Sequence, residues 1–235
     1  MLCIFPFEPE LYKASGLRAI FVGHPMTSVI PSGNAVPPRD DKLVGLFPGS
    51  REREVKKIFP VMRQAALELS QQDHDLRFVV SAASEPLAEL IRANLCKHAT
   101  GKFSIVTGDA RAVMGRVNVG MVASGTATLE AALSELPFVL IYRVAWLTYL
   151  AARLVVKVKY LGMPNVLANR EIVPEFIQHK AQPRAIAAAM ARLLTDKTER
   201  KRMLTDFASV AQKLGRGEAS VNAAEAILTE LRCAE

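Results

Sequence analysis

The sequence predicts an α/β fold: a parallel sheet with helices on both faces, followed by a helical carboxy-terminal extension. Two observations carry this. Between Leu43 and Tyr142 short apolar runs alternate with amphipathic segments, the pattern of βαβ units. From Pro183 onward the apolar spacing is helical throughout, most clearly in "PRAIAAAMARLL" and "AAEAILTELR".

Each element follows in order. Leu43–Phe47 reads as a strand that stops at Pro48-Gly49-Ser50, and Glu54–Gln71 reads as a helix kinked at Pro60. Leu76–Ser81 reads as strand. Pro86–Leu95 reads as a helix that starts on a proline, where a missing N–H would have had no partner anyway. Phe103–Thr107 is the next strand, Ala110–Met114 a short helix and Val117–Val122 a strand. Thr126–Glu135 is a helix, and Phe138–Tyr142 is a continuous apolar run typical of a strand buried on both faces. "PSGNAVPPRDD", Pro31 to Asp41, has the composition of a linker. The expected division is a connector over 1–30, the α/β domain over 31–182 and the helices over 183–235.

Composition narrows the partners. The chain has 235 residues, half of them hydrophobic, which suits one large domain or one domain with extensions. A net charge of +7 favours anionic partners such as phosphates or an anionic membrane surface. The basic residues are scattered and aromatics are few, which argues against nucleic acid. Cys3, Cys96 and Cys233 are odd in number and far apart, no Cys-x-x-Cys occurs, and the four histidines lie singly. This pattern predicts reduced thiols in the cytoplasm, no metal and no cofactor. The first eight residues are too short and lack the basic flank for a signal peptide.

Leu136 to Val156 resembles a membrane span, but Pro137, Arg143 and Arg153 divide it into the strand Phe138–Tyr142 and a helix Val144–Val156 too short to cross a bilayer. Trp146, Tyr149, Arg153, Lys157 and Lys159 suit a membrane interface. The other reading of this helix is packing in the core or on a partner subunit, as in a homodimer.

In open α/β sheets a ligand sits beyond the carboxyl ends of the strands. Two strand-to-helix corners there carry suggestive chemistry. At the first, Gly49 lets a phosphate approach the backbone, Ser50 offers a hydroxyl, and Arg51 a forked cationic donor at a helix start. At the second, Ser124-Gly125-Thr126 forms a similar nest. Each corner alone reads better as a helix cap and a turn. Two on one sheet edge point to a diphosphate. Glu130, one turn into the second helix, can accept from two adjacent hydroxyls, as on a ribose, or simply complement the helix dipole. No Walker loop and no G-x-S-x-G elbow is present, and Asp73-His74-Asp75 has the Asp-x-Asp spacing of a metal-binding motif but precedes its strand, so it reads as a solvated loop at the amino edge.

"FPFEPELY", "FVGHP", "LFPGSREREV", "ASGTATLEAAL", Tyr142-Arg143 and "LGMPNVLANREIVPEFIQ" occur in this order. Together they resemble the carboxy-terminal half of the lipid-A-disaccharide synthases. That family consists of inverting glycosyltransferases of the GT-B type, with two Rossmann-like domains facing across a cleft. The resemblance implies one such half here. It implies transfer of a diacylglucosamine unit from UDP-2,3-diacylglucosamine, a UDP-sugar lipid donor, to the lipid acceptor 2,3-diacylglucosamine 1-phosphate, at the inner face of the cytoplasmic membrane. It implies that Gly49, Ser50, Ser124, Gly125 and Thr126 hold the diphosphate and Glu130 the ribose. Arg51, Asn165, Arg170 and Glu171 are implied to line the donor side.

Members of the family begin with an amino-terminal domain of about 150 residues, which binds the acceptor and is held to carry the catalytic base. Only its last pieces, Leu2 to Tyr12, match here. The catalytic residue is therefore unassigned, and the chain is expected to be inactive alone. His24 has no evident partner in the sequence. A UDP-sugar 2-epimerase-like enzyme, which shares the architecture, and a non-catalytic nucleotide-binding module are the alternatives.

Overall fold

The structure, a computed structural model, describes residues 1–29, 38–96, 101–144, 159–215 and 217–233. The chain divides into two compact units, Met1–Ala35 with Phe207–Glu235, and Val36–Asp206.

The second unit is built on a six-stranded sheet. Its strands are β3 (Asp40–Phe47), β4 (Arg77–Ala82), β5 (Phe103–Thr107), β6 (Val117–Ala123), β7 (Phe138–Tyr142) and β8 (Glu175–Ile177). All neighbours are parallel, in the order β5-β4-β3-β6-β7-β8. The chain first winds outward from β3, then returns to β6 and winds the other way. The point where it reverses lies between β3 and β6, where Val44–Phe47 pair with Val119–Val122.

Right-handed crossovers place the helices of the two windings on opposite faces. One face carries α3 (Glu52–Gln72) and α4 (Glu85–Cys96), which touch each other. The other carries α5 (Ala110–Arg116), α6 (Thr126–Leu133) and α7 (Met163–Ala168), with α6 against both its neighbours. Helix α8 (Pro183–Thr195) packs on α3.

Alternation explains the layers. The strand residues Val117–Ala123 are all buried, as a sheet covered twice requires. Helix α3 buries Val55, Ile58, Phe59, Met62, Ala65, Ala66 and Leu69, one stripe at helical spacing, and runs through Pro60 without interruption. Gly45 lies beside Gly120 across the central pair, and the Phe47 ring fills the room at Gly45, where a Cβ would stand 2.6 Å from it. At the amino edge Arg39, within the expected linker, donates to the carbonyls of Met114, Val117 and Ser134. One guanidinium thereby ties the ends of two helices to the start of β6, while burial lowers its pKa.

The first unit holds β1 (Leu2–Cys3) and β2 (Ile20–Phe21), a parallel pair, with α1 (Glu8–Lys13), α2 (Met26–Val29), the end of α9 (Lys197–Lys213), and α10 (Ala219–Cys233). Among the described residues the large exposed apolar side chains, from Met1 and Leu2 to Leu228 and Leu231, all belong to this unit. Among the described residues the second unit has none of them.

The expected helix Val144–Val156 lies outside the described residues from position 145 onward, as do residues 31–37 of the linker. Among the described residues, no helix is long and apolar enough to cross a membrane.

Candidate functional site

Beyond the carboxyl ends of β3 and β6 lies a hollow of about 390 Å³. Gly49, Ser50, Arg51, Ser124, Gly125, Thr126 and Glu130 all line it. The fold thus brings together seven of the ten residues singled out in the sequence. Ser81, Ala82, Ala83 and Gly108, at the ends of β4 and β5, extend the hollow sideways.

The first corner turns through Gly49 at φ +108°, a region that L side chains avoid. The missing Cβ also leaves room for Glu54, whose Oε2 stands 2.5 Å from where that atom would be. Arg51 is the residue before α3. Its backbone N–H and its guanidinium both donate to the Glu54 carboxylate, at 3.4 and 3.1 Å. The guanidinium is otherwise solvated, with 81% of the side chain exposed against 28% for Glu54.

The second corner turns through Gly125 at φ +146° and ψ −163°, a conformation essentially confined to glycine. Its carbonyl accepts from the Thr128 N–H at 3.1 Å and the Thr128 hydroxyl at 2.8 Å, which fixes the first turn of α6. Ser124 is anchored by its N–H to the Ile141 carbonyl at 3.0 Å. The N–H groups that open α6, at Thr126 and Ala127, precede any intrahelical partner, and both residues line the hollow at the helix's positive dipole end. Glu130 is one turn in, 21% exposed, and accepts from the Arg111 Nε at 3.3 Å.

Asn165, Arg170 and Glu171 are not among the residues lining this hollow. Asn165 is wholly buried and fully bonded. Its Nδ2 donates to the Val173 carbonyl and to Glu175 Oε1, both at 2.8 Å, and its Oδ1 accepts from the N–H groups of Ile172 and Val173. Glu175 in turn accepts from the Leu161 and Gly162 N–H groups, which fills the start of α7 with an internal carboxylate. Arg170 pairs with Asp206, and Glu171 accepts from the Glu175 N–H at 3.4 Å.

Two residues of the site escaped sequence reading. Glu54 stands three places after Arg51, the spacing of a capping box, and that spacing was a usable signal. Arg111 left none, because it meets Glu130 only once α5 and α6 are side by side. His24 does have partners: its Nδ1 accepts from the Met26 N–H at 3.1 Å and the Phe5 ring lies 5.0 Å away. Burial lowers its pKa against an opposing pull from Glu8, and its Nδ1 caps the start of α2. Among the described residues no group of acidic, cysteine or histidine side chains is arranged to hold a metal.

A family model described as lipid-A-disaccharide synthetase matches residues 1–229. The lipid-A-disaccharide synthase of Anaeromyxobacter dehalogenans strain 2CP-1 is 37% identical over 239 residues, covering 99% of this chain and 62% of that protein. That of Burkholderia thailandensis is also 37% identical, over 97% of this chain and 60% of its own length. The chain therefore spans about three fifths of the length of these curated relatives. Among solved structures, the UDP-GlcNAc 2-epimerase of Neisseria meningitidis bound to UDP-GlcNAc superposes with a TM-score of 0.66 at 14% identity, over 97% of this chain and 61% of that one. The pneumococcal O-GlcNAc transferase GtfA, in complex with UDP and GlcNAc, gives 0.59 at 15% identity, over 98% and 45%. At such identities these two structures speak to the fold, which transferases and epimerases share. The match along residues 1–229 is of another order, and the chain belongs to the lipid-A-disaccharide synthetase family.

Proposed function

We propose that this chain carries the donor-nucleotide side of lipid-A-disaccharide synthesis. The carrying observation is that two strand-to-helix corners, each with a hydroxyl, converge with Glu130 on one hollow at the point where the sheet reverses. In this reading the donor diphosphate of UDP-2,3-diacylglucosamine lies across Ser50 and Ser124–Thr126, with Arg51 adding charge. The ribose hydroxyls donate to Glu130.

The transfer then proceeds as follows. The 6-hydroxyl oxygen of the lipid acceptor, 2,3-diacylglucosamine 1-phosphate, bonds to the anomeric carbon from the face opposite UDP. The bond from that carbon to the β-phosphate oxygen breaks, and its electron pair leaves with UDP. Donors already aimed at the diphosphate stabilise that charge as it develops. The hydroxyl proton needs a base within hydrogen-bond reach. Glu130 is assigned to the ribose and Glu54 stands beside Arg51 at the diphosphate corner, so we place the base outside this hollow. Because both lipids are membrane components, we place the work at the anionic inner face of the cytoplasmic membrane, to which a chain of net charge +7 is attracted.

Titration calorimetry with UDP, followed by a product assay with donor and acceptor lipids, tests the proposal. The expected outcome is that the 235-residue chain binds UDP and makes no disaccharide by itself. Disaccharide formed by this chain alone would put the base within it. Isomerisation of a UDP-sugar without acceptor would support an epimerase instead. UDP binding with no turnover, even beside a matching amino-terminal domain, would support a non-catalytic module.

A further inference from the structure

The two corners differ in one respect that bears on how the diphosphate is held. At the second, the first N–H groups of α6 have no internal acceptor among the described residues. At the first, an acceptor is built in. The Glu54 carboxylate takes both the Arg51 N–H and the Arg51 guanidinium, and it occupies the space that Gly49 leaves by having no side chain. These are the donors that a phosphate at this corner would use. The chain therefore carries its own anion at the place where it is read to bind one.

We propose that Glu54 is a specificity-determining residue that competes with the donor diphosphate for Arg51. Two features make it fit for exchange rather than permanent pairing. The contacts are long for a charged pair, at 3.1 and 3.4 Å. Arg51 is also mostly solvated, so the pair is screened and worth little by itself. An incoming diphosphate gains the second corner as well as the first, which a single anion at Arg51 does not. Glu54 thus weakens every anion at the first corner, and only a ligand that spans both corners outweighs it. After transfer the same carboxylate recaptures Arg51 and speeds the departure of UDP.

This inference rests on the reading of the hollow as the diphosphate site, and the test separates the two. Calorimetry is run with UDP and, as a neutral probe, uridine, on the full chain and on Glu54→Gln and Glu54→Ala. Glutamine keeps a carbonyl acceptor for the Arg51 N–H, so the fold of the corner is retained while the charge is removed. Removing a like charge a few ångströms from the ligand at a solvated site should tighten UDP about five- to tenfold, with uridine unchanged. The gain should shrink as salt is raised. A UDP affinity that falls or stays level in both folded variants would overturn the proposal and make Glu54 a support for Arg51. A UDP affinity insensitive to Ser50→Ala and Glu130→Ala would instead overturn the site itself, whatever Glu54 does.

Discussion

Helices α6 and α7 begin in the same chemical situation and end it differently. Each starts beside the sheet with backbone N–H groups that have no helical partner. At α7 the Glu175 carboxylate fills the place, held also by Asn165, whose every polar atom is bonded. At α6, among the described residues, no carboxylate closes on the first turn, and Ser124, Gly125 and Thr126 line an open hollow. On the proposed reading, the difference teaches that a helix start can take a ligand only where the fold leaves it unanswered. Polar residue types cannot decide this, since Asn165 is as polar as Ser124.

The largest effect should come from breaking the filled start. Asn165→Ala leaves the Ile172 and Val173 N–H groups and the Val173 carbonyl buried without partners. At about 1–3 kcal/mol for each unsatisfied group, partly relieved by relaxation, the loss should be roughly 3–4 kcal/mol. Asn165→Asp should cost a comparable amount, because it sets a carboxylate against Glu175 Oε1. Denaturant unfolding measures both. Near-native stability in either would mean that the bracket around α7 is dispensable and the contrast with α6 is lost.

Opening the other side of the comparison should touch binding rather than folding. Ser50→Ala and Glu130→Ala are each expected to weaken UDP by roughly 1.5–3 kcal/mol, the worth of a hydrogen bond to a charged group. Their melting temperatures should stay near that of the parent. Calorimetry and thermal unfolding on the same samples decide the matter. Loss of stability with UDP affinity intact would move these residues into the structural class of Asn165.

The sequence discloses the two sides of this comparison unequally. Strands β3 to β7 are legible to within a few residues because each is an apolar run cut off by a turn, and both open corners follow from where those runs stop. The sheet's last strand, Glu175–Ile177, is short and half-buried, with no apolar run to announce it. Asn165 was placed with the donor-side residues through family resemblance. What makes it a bracket is a set of bonds to residues seven to ten positions on, which exists only after the chain has turned back along β8. Arg111 is hidden for the same reason, nineteen positions from Glu130.

A smaller effect is expected at Arg111. If Glu130 reads the ribose, Arg111 positions its carboxylate through the 3.3 Å contact, and truncation loosens that group without removing it. The Arg111 side chain is 41% exposed, so the pair is partly screened and the change should be near 1 kcal/mol or less. A purely structural role would weaken UDP and 2′-deoxy-UDP alike. A positioning role should narrow the gap between them in Arg111→Ala, while Glu130→Ala closes it. Equal losses for both nucleotides in Arg111→Ala would remove Arg111 from ribose recognition.

The smallest effect belongs to the opposite edge of the sheet, at Asp73, where a carboxylate pair has the sequence of a metal-binding motif and none of the setting. Asp73 ends α3; its Oδ1 accepts from the Asp75 N–H at 3.0 Å and its Oδ2 from the Lys42 ammonium at 2.7 Å. The bond from Lys42, then that from the Asp75 backbone, holds its pKa below the ordinary carboxylate value. A depressed folded value means that the stabilisation is present above the unfolded value of about 3.9 and fades as pH falls through the folded one. Asp73→Asn should therefore lower the melting temperature slightly at neutral pH, and the gap to the parent should narrow as pH falls from about 3.9 through the lower folded value. Because the hollow lies past the other ends of the strands, UDP affinity in this variant should be unchanged, with or without added Mn²⁺. A Mn²⁺-dependent loss of UDP binding in Asp73→Asn would show that the amino edge takes part in nucleotide recognition, and the contrast between filled and open helix starts would no longer locate the site.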